Sequence, residues 1–87
     1  MGVFSELYDI MLDEIFAKID ENKNKENFDI DGFISDLLLN LYTEGKIADY
    51  NYEFFSFDMS SRNTVLFITL LSKDRQDMVS DIYDFSV

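Results

Sequence analysis

The chain has no cysteine and no histidine among its 87 residues. Without cysteine it can form neither disulfides nor thiolate zinc sites, which suits a cytosolic protein. Without His or Cys, the usual nucleophile–base–orienter arrangements cannot be assembled. A pair of carboxylates could still do acid–base work, but no spacing singles out a pair and a chain of this size leaves little room for a cleft. The residues therefore read as a protein that is not an enzyme and carries no cofactor. Glycine is scarce and scattered, at Gly2, Gly32 and Gly45, so no glycine-rich loop exists to cradle phosphate. No apolar run approaches the ~18 residues that a membrane span needs. The N-terminus also lacks the basic start and unbroken apolar core of a signal peptide. A soluble, cytoplasmic protein with no membrane contact is expected.

Bases are the other shortage. Seven Lys and Arg face 18 Asp and Glu, for a net charge of −11. Such imbalance repels nucleic acid and anionic membranes and attracts basic surfaces. It opposes compaction by self-repulsion and also favours solubility. The charge alone thus permits a recognition surface or a solvated one.

What is present is a core. Hydrophobic residues are 47% of the chain and aromatics 16%, with nine Phe and five Tyr. That is too apolar for disorder. Residues 1–87 make one domain, small enough that only ~60% of the unfolded surface becomes buried.

From Val3 to Asp20, Phe4, Leu7, Tyr8, Met11, Leu12, Ile15, Phe16 and Ile19 recur at three- and four-residue steps. This predicts an amphipathic helix, with Ser5 as an alternative cap. Glu6, Asp9, Asp13 and Asp20 fall on its other side, flanked by Glu14 and Glu21. The wholly polar stretch 21–27 marks a loop. Asp29 or Asp31 then caps a second helix carrying Phe33, Ile34, Leu37, Leu38, Leu41 and Tyr42, which Gly45 ends. The two helices should pack as an antiparallel pair. From Tyr50 the period changes to two. Tyr50, Tyr52 and Phe54 share one phase, and Phe55, Phe57 and Met59 the other, so a bulge or a twist is expected between Phe54 and Phe55. Residues 60–63 are a turn. The β-branched and aromatic run 64–71 is a second strand, covered on both faces or meant for a partner.

At the end, Met78, Val79, Ile82 and Tyr83 fit a short helix, capped by Asp74 with Asp77 at its third position. A strand there fits less well, because Asp81 falls in phase with Val79 and Tyr83. The expected order is α-α-β-β-α, an α+β domain in which two amphipathic helices cover a hairpin or small antiparallel sheet, with a short C-terminal helix. A lone hairpin is barely stable, and the free edge of the strand over 64–71 would be sticky. A homodimer through the hairpin follows as one expectation.

Three candidate sites emerge. The segment from Asp20 to Asp31 has the outline of an EF-hand loop. However, Lys25 stands where glycine is needed, Asn27 replaces an aliphatic and Asp31 replaces the bidentate Glu, so no metal site is expected. The window 50–57 holds five aromatics, Tyr50, Tyr52, Phe54, Phe55 and Phe57, more than one face of a small core needs. Aromatics are enriched at interface centres. The neighbouring Asp49, Glu53 and Asp58 exclude a base-stacking platform, which pairs aromatics with Lys and Arg. The carboxylates of the first helix sit ~5–6 Å apart at i, i+3 and i+4. They could imitate the phosphate row that a basic groove accepts. The expected partner-binding set is Glu6, Asp9, Asp13, Glu14, Asp20, Tyr50, Tyr52, Glu53, Phe55 and Phe57. The expected partner is a basic, nucleic-acid-binding protein, with no direct nucleic acid contact.

With single-domain size, the −11 charge, no Cys, no catalytic set and a compact α-α-β-β order, the chain resembles the small acidic proteins that phages and other mobile elements use against host defences. DNA mimics and anti-CRISPR proteins are examples. The resemblance implies a non-catalytic inhibitor of a host nuclease or defence complex in the host cytoplasm. Those proteins share no fold, so it assigns no residue a role. The rival reading is a structural, assembly or chaperone-like protein that oligomerises through its aromatic hairpin.

Overall fold

The computed structural model describes residues 2–56 and 64–85, with side chains over 6–55 and 64–85. Helix α1 runs Gly2–Asn22 and α2 Ile30–Thr43. Strands β1 (Ile47–Ser56), β2 (Thr64–Ser72) and β3 (Met78–Asp84) follow. They form one antiparallel sheet in the order β1-β2-β3.

The chain is α+β, but its order is α-α-β-β-β. The C-terminal helix expected from the sequence is a strand. Met78, Val79, Ile82 and Tyr83 satisfy a helical period and also a strand that is apolar on both faces. The free edge of β2 decides between them, because β3 supplies hydrogen-bond partners that a helix could not. Asp81 is tolerated because β3 is an edge strand, where an inward-phase charge can still reach water; Asp81 is exposed. Asp74 caps no helix. Its carboxylate takes the Ser72 hydroxyl at 2.5 Å and the Gln76 amide at 3.0 Å, which shapes the β2–β3 turn. Since β2 is central, the sticky edge that suggested pairing through the hairpin is already closed.

The helices start and stop for local reasons. Asp29 is the N-cap of α2, and its carboxylate accepts from the Gly32 amide at 3.1 Å. At the far end, Gly45 adopts φ 76°. The Lys46 amide reaches the Leu41 carbonyl at 3.0 Å and the Gly45 amide reaches that of Tyr42 at 3.1 Å. These two bonds are the glycine-dependent closure that satisfies the last helical carbonyls. The β1–β2 register runs unbroken from Asp49 to Ser56 and shifts instead between Ile47 and Asp49. There is thus no bulge at Phe54 and Phe55. Their change of apolar phase reflects a strand with apolar side chains on both faces. Met59, the turn expected over 60–63 and the side chains of Phe4 and Ser5 lie outside the described residues.

Both helices pack on one sheet face. Tyr8, Leu12, Ile15 and Ile19 of α1 join Ile34 and Leu38 of α2 against Ile47, Leu66, Ile68, Leu70 and Tyr83. A groove lined by Leu7, Ile10 and Met11 of α1 and Leu41 of α2 brings the start of one helix beside the end of the other, as an antiparallel pair requires. The Tyr8 hydroxyl accepts the Lys73 amide at 3.0 Å, which ties α1 to the β2–β3 turn. Among the described residues, no helix lies on the opposite sheet face.

Candidate functional sites on two opposite faces

Glu6, Asp9, Asp13 and Glu14 are all exposed on α1. Two ion pairs occur among the described residues, Lys23–Asp20 at 3.4 Å and Lys46–Glu44 at 3.2 Å, and neither involves those four acids. Ile10, 53% exposed, lies on the same outer face. Among the described residues, the outward side of α1 is therefore a row of carboxylates in no ion pair, with the exposed apolar side chains of Leu7 and Ile10 beside it.

Asp20 belongs to a different arrangement. It accepts a hydrogen bond from the Tyr83 hydroxyl, and Lys23 lies over the Tyr83 ring at 5.3 Å from its centroid. The Tyr83 hydrogen bond chiefly holds the Asp20 carboxyl below its ordinary value; desolvation opposes it, and the Lys23 ammonium adds to it. Contact with the Tyr83 hydroxyl, then Asp20, raises Lys23. Burial, followed by the Asp20 bond, raises Tyr83. This trio fastens the end of α1 to β3. Asp20 thus has an intramolecular task that the helical pattern did not reveal.

The aromatic window divides between the two sheet faces. Tyr50, Tyr52 and Phe54 pair with Leu70, Ile68 and Leu66, which are buried under the helices. Tyr50 and Tyr52 are half-buried. The Tyr52 hydroxyl donates to Asp31 of α2 at 2.8 Å, and this bond, more than burial, raises the Tyr52 phenol. Tyr50 meets Tyr42 edge-on at 6.1 Å. Glu53 and Phe55 pair with Phe67 and Val65 on the uncovered face. Phe57 lies outside the described residues. The predicted partner-binding residues therefore form no single surface. The α1 acids crown the helix layer, Tyr50 and Tyr52 lie beneath it, and Glu53 and Phe55 are on the far side of the sheet.

The uncovered face has a regular layout, set by register. Central strand β2 presents Val65, Phe67, Thr69 and Leu71, all half-buried. Across β1 stand Phe55, Glu53, Asn51 and Asp49, and across β3 stand Asp84, Ile82, Ser80 and Met78. Phe55, Ile82 and Met78 are 44%, 55% and 73% exposed. Thr69 and Ser80 join their hydroxyls at 3.1 Å.

The outer edges show a device that sequence reasoning missed. The Phe85 amide bonds the Thr64 carbonyl and the Ser72 amide bonds that of Asp77. These two bonds fix which residues of β3 face β2, because hydrogen-bonded pairs alternate along an antiparallel ladder. By that alternation the Ile82 amide points outward from β3 and the Tyr50 amide outward from β1. Each is taken at 2.8 Å by the carboxylate of the preceding residue, Asp81 and Asp49 respectively. The sequence signal was there, an Asp before an apolar residue in each edge strand, but it has meaning only once the edges are known.

Among the described residues, no cluster of three or more acids could hold a metal ion. The ends of the EF-hand-like segment are engaged elsewhere, Asp20 with Tyr83 and Asp31 with Tyr52. Among the described residues, the carboxyls of Asp20 and Asp74 are moved from their ordinary value. Both move downward, Asp74 chiefly through the Ser72 hydroxyl, the opposite of what a general acid needs. No helix among the described residues is long and apolar enough to cross a membrane. No protein-family model, curated protein or solved structure matches the chain.

Proposed function

We propose that this protein is a non-catalytic acidic inhibitor, of the DNA-mimic or anti-CRISPR kind, acting in the host cytoplasm. Its target is the basic nucleic-acid-binding surface of a host defence nuclease or complex. The observation that carries the reading is the outer face of α1, where Glu6, Asp9 and Asp13 are exposed and free of ion pairs among the described residues. Along the axis these acids advance by about 4.5 and 6 Å at 1.5 Å per residue. Each DNA strand carries a charge per ~3.4 Å, so the row is a sparser version of a phosphate backbone. The mechanism is competition. Carboxylates occupy the Arg and Lys that otherwise hold phosphates, and no bond is made or broken.

The rival reading, assembly through the aromatic hairpin, loses its main support. The β2 edge is paired with β3, and Tyr50 and Tyr52 pack beneath the helices. The test is displacement of a labelled DNA duplex from a panel of basic DNA-binding nucleases. The wild-type chain is expected to displace it, with an affinity that falls steeply as NaCl rises. The Glu6→Lys, Asp9→Lys, Asp13→Lys triple variant should fold and fail to compete. A triple variant that competes as well as the wild type sinks the assignment to α1.

A further inference from the structure

The uncovered sheet face carries an apolar ridge, and we propose that a second copy of this chain covers it in a weak twofold dimer. The contact is between sheet faces, not strand edges, and it does not rest on the reading of α1. The ridge is β2, whose Val65, Phe67 and Leu71 point away from the core and are half-buried. Phe55 on β1 and Ile82 and Met78 on β3 widen it and are substantially exposed. An apolar sheet face is stable when a second layer covers it. Among the described residues, both helices pack on the other side. A contiguous apolar patch left open in this way marks an interaction site.

Geometry and charge favour a second copy, since a twofold pair needs one surface that complements itself. With the axis parallel to β2, the two ridges stack on each other, and β1 of each copy lies over β3 of the other. Phe55 of one copy then reaches Ile82 of the other at both sides of the sandwich. Register assigns three acids to this face, Asp49, Glu53 and Asp84. The Tyr50 amide holds the Asp49 carboxylate at 2.8 Å on the outer edge, and Asp84 is already engaged within its own chain. With strands ~4.8 Å apart and sheets ~10 Å apart, Glu53 stands ~14 Å from its copy. That exceeds the ~8 Å screening length at physiological salt. Stacking β1 on β1 instead would bring the two Glu53 residues to ~10 Å, so charge selects the first packing. Three strands over the length of β2 make a face of about 14 by 26 Å. Two such faces bury about 700 Å² of planar area, below the ~1,200 Å² at which standard interfaces begin. The pair therefore forms only at high protein concentration.

The test is sedimentation velocity on the full chain at about 0.15 M NaCl, from about 10 μM to about 1 mM protein, with the dimer Kd expected in that interval. Ile82→Lys should weaken association about tenfold, because it buries a charge in the contact. Phe55→Ser, on the other edge strand, repeats the test should Ile82→Lys fail to fold. Leu39→Lys makes a similar change at an exposed residue of α2 and should leave Kd within about twofold. Cross-linking reads the packing, because the chain has no cysteine of its own. Asn51 and Ser80 both pair with Thr69, so in this dimer Asn51 of one copy faces Ser80 of the other. A short bis-maleimide should join Asn51→Cys to Ser80→Cys in a mixture faster than it joins either variant to itself. Any of four results overturns the proposal. A wild-type chain that is monomeric at about 1 mM leaves the face to a partner of other chemistry. A dimer that survives both Ile82→Lys and Phe55→Ser does not use the face. Equal weakening by Leu39→Lys and Ile82→Lys moves the contact to the helices. Self-linking of Asn51→Cys as fast as the mixture puts β1 over β1. Both α1 rows lie on the outer layers of the pair, so failure here is separate from failure of the DNA-competition assay.

Discussion

Tyr83 connects three parts of the molecule. Its ring packs against Phe16 at 5.5 Å and Phe85 at 4.8 Å, and its hydroxyl binds Asp20. Replacing it by Phe keeps the ring and deletes the donor, so Tyr83→Phe isolates the polar link. Asp20 is held below its ordinary value of 3.8, mainly by that hydroxyl. The contribution of Asp20 is therefore present above pH 3.8 and is lost as pH falls through the lower, folded-state value. Lys23 and Tyr83 are raised from 10.5 and 10.0. Their contributions are present below those values and are lost as pH rises through the folded ones. In Tyr83→Phe the Asp20 carboxyl should move up toward 3.8, seen directly by carbon-detected NMR titration. An Asp20 titration identical to that of the wild type would show that Lys23 and not Tyr83 sets it. None of this was legible in the chain. Asp20 and Tyr83 lie 63 residues apart, and in sequence Asp20 is one more member of a helical column.

Helices and strands differed in how far they could be read, for a physical reason. Both helices carry their instructions locally, in the stripe of α1, the Asp29 cap and the left-handed Gly45, so their existence and ends followed from spacing. Strand β3 carries no comparable local instruction. Its apolar residues fit two periods, and the choice rests on the β2 edge, which lies in another part of the chain. The split of Tyr50 and Tyr52 from Phe55 was latent in the period of two, but which phase faced the helices depended on β2, where Leu66, Ile68 and Leu70 are fully buried. The same limit hid the edge carboxylates. Asp49 and Asp81 occupy the outward amides of Tyr50 and Ile82, groups that would otherwise be open to another strand. Asp49→Val and Asp81→Val should each release one such amide, remove a charge and raise β-propensity. Light scattering should then show association that grows with concentration. Asn keeps the acceptor oxygen, so Asp81→Asn should keep the association state of the wild type under conditions where Asp81→Val associates. If Asn associates as readily as Val, charge alone protects the edge and the hydrogen bond is incidental.

At the scale of the whole molecule, the charge of −11 should act on folding and on the proposed recognition with opposite salt dependence. Self-repulsion opposes the compact state, and among the described residues two ion pairs offset it, both at the surface. Such exposed pairs contribute little. Repulsion therefore dominates, and screening should stabilise the fold. Raising NaCl from about 0.01 to about 0.15 M shortens the screening length from ~30 to ~8 Å. A gain of about 1 kcal/mol would lift Tm by about 4–8 °C for a domain of this size. Over the same interval, affinity for a basic target should fall, because the same screening weakens attraction between the α1 carboxylates and Lys or Arg. Calorimetric Tm and DNA-competition affinity measured on one salt series should thus run in opposite directions. If both rise with salt, the association is driven by apolar burial and the carboxylates of α1 are a solvated face. If both fall, favourable ion pairs outweigh repulsion in the folded chain, and the charge serves stability before recognition.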